Sequence, residues 1–323
     1  MKVSIIVPIY GVERFVEKCI TSLLMQTWPD LEIIIVDDKS PDKSMNVINQ
    51  VLKNHPHASH KVKIIHHDEN KGLPCARNTG LNIATGEYIF HCDGDDFAEP
   101  NMIEAMVSLA NKGNYDIVYC DWYLNYGNKD RYMSQPKHIS AKSALQALLH
   151  GQMKYNVWNK LIKKSLYTEN NISFPNGYSM GEDMTMIKLF AKAHNLAYIP
   201  KAYYHYVKTN SSAMTENINE QAISQINHNV KSVEDFLKQN GYSNIRSFKY
   251  FELSTKYALL YSYNRTNYKI WNSWFNDSND FALNDNWPFR IKILHFFAIK
   301  NLYFLLRLHY AVYSIIYHLK HRI

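Results

Sequence analysis

Cysteine is scarce in this chain of 323 residues. Its four thiols, Cys19, Cys75, Cys92 and Cys120, stand far apart, without metal-ligand spacing. That excludes a zinc cluster and a disulfide framework, and fits reduced thiols in the cytosol. No secretory leader is expected. Met1-Lys2 runs straight into the apolar stretch 3–7, too short for an h-region and lacking a small-residue cleavage site. No internal repeat and no long low-complexity run occurs. Acidic residues are missing from 287–323, which carries six Lys/Arg. The net charge of +7 belongs largely to that tail, because residues 1–286 hold 30 basic against 29 acidic side chains, a balance of +1. A nearly neutral body argues against nucleic acid as its partner. The tail also lacks a membrane span. Its longest charge-free stretch is 308–319, and a spanning helix needs about 20 mostly apolar residues.

What is present is enough for a core: 46% of the residues are apolar. The length exceeds one ordinary domain, so a main domain with an appendage is expected. Short apolar runs at 3–7, 31–36, 62–65, 88–92 and 116–120 read as strands. Segments with helical periodicity lie between and after them at 13–26, 44–52, 76–84 and 100–111. This alternation predicts an α/β fold, a doubly wound and mainly parallel sheet flanked by helices. Beyond residue 122 the pattern loosens. Helices are expected at 140–150 and 181–194, an aromatic strand at 203–207, and a helical C-terminal extension from about 217.

The chemistry gathers where strands end. Asp93-Gly94-Asp95-Asp96 follows the run Tyr88-Ile89-Phe90-His91-Cys92. Carboxylates at the carboxyl end of a buried strand suit a hard divalent cation, Mg²⁺ or Mn²⁺, shared with substrate phosphates. Gly94 is read as the residue that lets the backbone turn there. Tyr10 ends the first strand region and Asp38 the second. A ring and a carboxylate so placed can stack on a base and accept its N–H. Each also has a plainer role, Tyr10 in packing and Asp38 near a helix N-cap. Arg77 is either a phosphate fork or an ion pair. Together these groups predict a nucleotide-diphosphate site.

The motifs then follow in a recognisable order. Ser4-Ile5-Ile6-Val7-Pro8-Ile9-Tyr10 leads to Ser22-Leu23-Leu24-Met25-Gln26-Thr27 and Val36-Asp37-Asp38-Lys39-Ser40-Pro41-Asp42. Next come Asn70-Lys71-Gly72, Ala76-Arg77-Asn78-Thr79-Gly80, Asp93-Gly94-Asp95-Asp96, Trp158-Asn159-Lys160-Leu161 and Gly181-Glu182-Asp183. No single motif is specific, but the joint order closely resembles family-2 glycosyltransferases over about residues 1–215. The resemblance implies a GT-A-type fold with a donor-binding half (1–121), an acceptor half (122–215) and a helical extension (216–323). It implies inverting transfer from a nucleotide-sugar donor, usually a UDP-sugar, to a glycan or lipid-linked acceptor in surface-polysaccharide synthesis. Pro8, Tyr10, Glu13, Asp38, Gly72, Arg77 and Asp93 would surround the donor, and Asp95 would ligate the metal. Asp96 would be structural, and Gly94 would occupy a variable position. Asp183 would be the base, with Glu182 orienting the acceptor or raising the base's pKa. His205 would complete the metal shell or contact a phosphate, or else be a core histidine between aromatics. Trp158 would line the acceptor pocket or pack in the core.

Two rival readings differ at named residues. A sugar-phosphate nucleotidyltransferase needs a Gly-rich basic loop after strand one, but Tyr10-Gly11-Val12-Glu13-Arg14 has one glycine and an acid. A catalytically inactive nucleotide-sugar scaffold tolerates loss of Asp95 or Asp183, and both are present. The basic, aromatic tail 287–323 predicts contact with an anionic membrane surface, and hence a cytoplasmic protein peripheral to the inner face. The alternative is a terminal helix docked on the core.

Overall fold

The structure, a computed structural model, describes residues 1–138, 140–210, 219–284 and 287–320. Among these, nine strands form one sheet: β1 (Val3–Ile9), β2 (Leu31–Asp37), β3 (Val62–His66), β4 (Tyr88–His91), β5 (Phe97–Ala98), β6 (Ile117–Asn125), β7 (Asp130–Met133), β8 (Lys160–Lys163) and β9 (Leu196–Val207). Their order is β3-β2-β1-β4-β8-β6-β9-β5, with β7 paired to β6. Strands β1 to β4, β6 and β9 share one direction, and β5, β7 and β8 oppose them. The α/β fold with a mainly parallel, helix-flanked sheet is therefore present. Every residue of β1, β2 and β4 is buried, as parallel strands covered on both faces require.

The antiparallel strands were not expected. Strand β5 has two residues, β7 is exposed and charged, and β8 is Lys-Leu-Ile-Lys. None gives a clean hydrophobic period. Strand β9 begins seven residues before the expected 203, across Pro200 and a bulge opposite Cys120-Asp121. The helix expected over 181–194 is split into a 3₁₀ turn, Glu182–Met184, and a helix, Thr185–Lys192.

The chain divides into two compact units, Met1–Leu145 with Tyr155–Val233, and Gln146–Lys154 with Glu234–Ile323. The sheet and the candidate site belong to the first. The second is helical and packs around Tyr250, Tyr268, Trp271 and His295. Its Lys256 is fully buried, and its ammonium donates to the Trp274 and Phe275 carbonyls and to Asn279 Oδ1. Those bonds satisfy backbone acceptors at a turn that Phe275 enters with φ +49°.

Register puts the strand ends level. Ile9 pairs with Asp37, Asp37 with His66, and Ile6 with His91. Tyr10, Asp38 and the Asp93–Asp96 turn thus leave one edge of the sheet. At the opposite end a buried polar lock fixes that register. Ser4 lies beside Glu32, whose carboxylate accepts from the Ser4 and Thr85 hydroxyls, the Thr85 and Gly86 amides and Lys63. Burial alone would raise its pKa, but the Ser4 hydroxyl and the other donors outweigh it and bring the group down to about 2. Its contribution is therefore present above the ordinary glutamate pKa and is lost as pH falls towards 2. Glu32→Ala should cost roughly 3 kcal/mol in urea unfolding at pH 7, with a smaller loss at pH 3. An unchanged midpoint would remove the lock from the account.

Candidate active site

Two loops at the site edge are stitched together by short polar side chains. The Gly11 amide donates to Ser40 Oγ (2.9 Å), Val12 to Ser44 Oγ (3.1 Å) and Glu13 to Asp42 Oδ2 (2.9 Å). Asp42 Oδ1 accepts from Ser40 and Ser44. The Glu13 carboxylate accepts the Lys43 amide (2.9 Å). Glu13 thus builds the edge through backbone and carboxylate alike. Tyr10, beside it, is 49% exposed, so its ring is available for stacking.

Asp38 is buried and already engaged. Its oxygens accept from His67 Nδ1 (2.7 Å) and from the Lys71 and Gly72 amides (2.8 Å each). It fastens the 70–72 loop to the end of β2. Gly72 has φ +85°, and a Cβ there would lie 3.1 Å from Ser179 Oγ, so both conformation and space ask for glycine. It opens the helix Leu73–Ile83, which carries Arg77.

Arg77 is an ion pair, and a buried one: the residue is 1% exposed. Its Nη2 lies 2.8 Å from Asp93 Oδ1 and 3.3 Å from Glu182 Oε1. The Phe174 ring lies 5.6 Å from its Cζ. One guanidinium thus joins the β4 turn to the 3₁₀ turn that holds Asp183. Burial pushes the Glu182 carboxyl up to about 8, with Arg77 opposing and Asp183 adding to the rise. Burial likewise raises Asp183, less strongly, to about 6, since Arg77 and Lys160 favour its charge. Burial thus raises both adjacent carboxyls, and such perturbed pairs mark candidate sites of acid–base chemistry.

The acidic turn itself is close-packed. Gly94 is not among the residues with positive φ, so backbone freedom is not its reason. A Cβ at 94 would stand 2.9 Å from Ile9 Cδ1 and 3.1 Å from the Pro8 carbonyl. The position is therefore sterically constrained, contrary to the expectation of a variable one. Pro8 contributes here as the wall against which the turn packs. Asp96 is buried and accepts from Tyr204 Oη (2.8 Å) and the Val207 amide (2.7 Å), tying the turn to β9. Asp95 accepts from Asn210 Nδ2 (2.7 Å). Burial, then the neighbouring Asp93 charge, raises its pKa. Among the described residues no group of three or more His, Cys, Asp or Glu is arranged to hold a metal.

The remaining expected residues, His205 and Trp158, pack among aromatic rings. His205 stacks between Phe97 (4.2 Å) and Tyr123 (4.8 Å), its nitrogens facing Glu99 (2.8 Å) and Asp130 (3.2 Å). Trp158 sits in the core cluster, stacked on Tyr204 (4.7 Å) and Tyr206 (5.3 Å). Sequence reasoning missed Lys160. It is fully buried and donates to the Asn156 carbonyl (2.5 Å) and Asn159 Oδ1 (2.8 Å). Burial brings its pKa down to about 7, with Asp183 among the groups that oppose the shift. Tyr155 also feels Asp183, and burial raises its phenol. The signals for Lys160 are its place in the motif Trp158-Asn159-Lys160-Leu161 and a charge next to the apolar pair Leu161-Ile162.

A model of the family described as glycosyl transferase family 2 matches residues 4–178, more than half of the chain. The Bacillus subtilis protein EpsJ, an uncharacterized glycosyltransferase, is 33% identical over 224 residues, covering 66% of this chain and 63% of EpsJ. Glycosyltransferase GlyG of Streptococcus pneumoniae is 29% identical over 225 residues, covering 66% of this chain and 72% of GlyG. A poly(ribitol-phosphate) beta-glucosyltransferase of Bacillus spizizenii is 31% identical over 222 residues, covering 67% of this chain but 34% of that protein. Except for GlyG, less than two thirds of each of these relatives is matched. Crystal structures of residues 1–349 of S. aureus TarS have a similar fold, with a TM-score of 0.67 at 19% identity. The similarity covers 96% of this chain and 91% of TarS in complex with UDP, or 92% in complex with UDP-GlcNAc. By the family match over residues 4–178, and with the fold to go with it, this chain belongs to glycosyl transferase family 2.

Proposed function

We propose that this protein transfers a sugar, with inversion, from a UDP-sugar to a hydroxyl of a glycan or lipid-linked oligosaccharide. It would do so during surface-polysaccharide synthesis at the cytoplasmic face of the membrane. One observation carries the reading: Arg77 pairs with Asp93 and with Glu182, next to Asp183. Donor-side and acceptor-side acids therefore share one cation. The relative named for glucosyl transfer to poly(ribitol-phosphate), and the neighbour solved with UDP and UDP-GlcNAc, support the substrate class.

In this reading the acceptor hydroxyl attacks the anomeric carbon as the bond to the diphosphate breaks. The oxygen's proton passes to Asp183, and the nucleoside diphosphate leaves with the electron pair. A base with a pKa of about 6 is ionised at neutral pH, yet basic enough to take a proton in flight. Burial raises Glu182 as well, and Arg77, which favours its charge, holds it beside Asp183. Arg77 acts from beneath as a fixed positive charge near the leaving group. Tyr10 stacks on the base. Asp38 supports that contact by holding Lys71 and Gly72, while Pro8 and Glu13 shape the edge. Trp158 serves the acceptor side through the Tyr206 ring stacked on it, and His205 stays with Glu99 and Asp130, outside the metal site.

The donor set fits a divalent cation. Asp93 and Asp95 repel each other at the strand end, and Mg²⁺ or Mn²⁺ characteristically takes one or two carboxylates and completes its shell with phosphate and water. Asp95, with Asp93 beside it, would hold the ion, which would neutralise the diphosphate charge.

Two measurements test this. Slow hydrolysis of UDP-GlcNAc or another UDP-sugar should stop with EDTA, and Asp183→Asn should lower transfer at least about 100-fold without loss of UDP binding. Full turnover by the variant would sink the base assignment. Lys160→Met should move the acidic limb of the kcat/KM profile upward from about 6, because a cation that favours the Asp183 carboxylate is gone. An unmoved limb would show that Lys160 has no influence on the base.

A further inference from the structure

The second unit ends in two helices that leave apolar side chains uncovered. Phe289 is 79% exposed and Phe296 41%, on the helix Phe289–Ile299. On the helix Tyr303–Lys320, Phe304, Leu308, Val312, Ile315 and Ile316 are 66%, 60%, 48%, 60% and 46% exposed. At about 100° per residue these five fall within an arc of roughly 120°. Leu306, turned away from that arc, is fully buried. The helix therefore has a docked face and an open apolar face. Scattered exposed leucines need no explanation, but a continuous stripe does.

The charge around the stripe chooses among occupants. Residues 287–323 carry six Lys/Arg and no acid. Arg307, at the border of the arc, is exposed, and its guanidinium sits over the Tyr263 ring at 4.3 Å. Arg290 lies over Tyr313 at 5.3 Å, and Lys300 is exposed. Tyr263, under Arg307, and Tyr313, under Arg290, thus stand beside the stripe with their cations. Apolar residues bordered by tyrosine and cation match the layers of an anionic lipid leaflet: acyl chains, headgroup boundary, phosphates. Among the described residues no helix is long and apolar enough to cross a membrane. Residues 321–323, with the last of the tail's cations, lie outside the described residues.

We infer that the exposed face of Tyr303–Lys320 lies in the plane of an anionic phospholipid surface. It buries Phe304, Leu308, Val312, Ile315 and Ile316 at the headgroup boundary. The inference is independent of the sugar-transfer reading, since lipid binding is read without donor or acceptor.

The test is flotation of the full chain with vesicles of phosphatidylcholine alone or with one third phosphatidylglycerol. Binding should require the anionic lipid and weaken with salt. The triple variant Phe304→Ser/Leu308→Ser/Ile315→Ser should bind at least about tenfold more weakly with its melting temperature unchanged. If that variant folds poorly, Lys300→Glu/Arg307→Glu serves instead, with the same expected loss. Three results would overturn the inference: no binding by the parent chain, equal binding to both vesicles, or variants that bind as well as the parent. A parent dimer that the same variants split to monomers would also overturn it, by assigning the face to a second copy.

Discussion

Everything at the candidate site leans on one buried guanidinium. Arg77 has almost no contact with solvent, so removing its water is costly unless anions replace it. Asp93 and Glu182 do that from two different turns. The pairing is what turns separate pieces of sequence into a site. A carboxylate that leaves β4 and a carboxyl next to Asp183 are both drawn to the same charge. With three carboxylates near one arginine the balance stays negative, and burial pushes protons onto Glu182 and, less firmly, Asp183. The arrangement that holds the turns together also sets their acid–base chemistry.

The edge that carries Tyr10 rests on a second kind of restraint, many short hydrogen bonds to the Asp38 and Asp42 carboxylates. Asp38 collects the 70–72 loop, and Asp42 gathers Glu13, Ser40 and Ser44. Each bond is modest, but Asp38 is buried and its oxygens would be expensive to leave empty. These loops leave Tyr10 projecting into solvent while their own backbone is fixed. A rigid rim with one exposed ring is a suitable platform for a planar ligand.

Much of this was legible in the sequence, for a physical reason. Buried parallel strands are apolar throughout, so β1, β2 and β4 stand out, and so do the polar groups that end them. Charge hidden in tertiary contact does not. Lys160 looks like a surface lysine until the Asn156 carbonyl and Asn159 close around it. Arg77 offered a phosphate fork or an ion pair, and only three-dimensional proximity brings Glu182 to it. Gly94 illustrates the limit from the other side. Glycine between two aspartates suggests a turn, whereas its neighbours Ile9 and Pro8 would crowd a Cβ. Strands β5, β7 and β8 escaped because two residues, or four with lysines at both ends, carry no period.

The central claim is that Arg77 holds Glu182 by charge, and a double-mutant cycle on the two in urea measures that coupling. Arg77→Met alone strands buried carboxylates and should cost roughly 3–5 kcal/mol. Adding Glu182→Gln removes one of them, so the double variant should be more stable than the sum of the single losses by at least about 1 kcal/mol. Strict additivity would contradict the account, because it would mean that the two side chains do not share a charge.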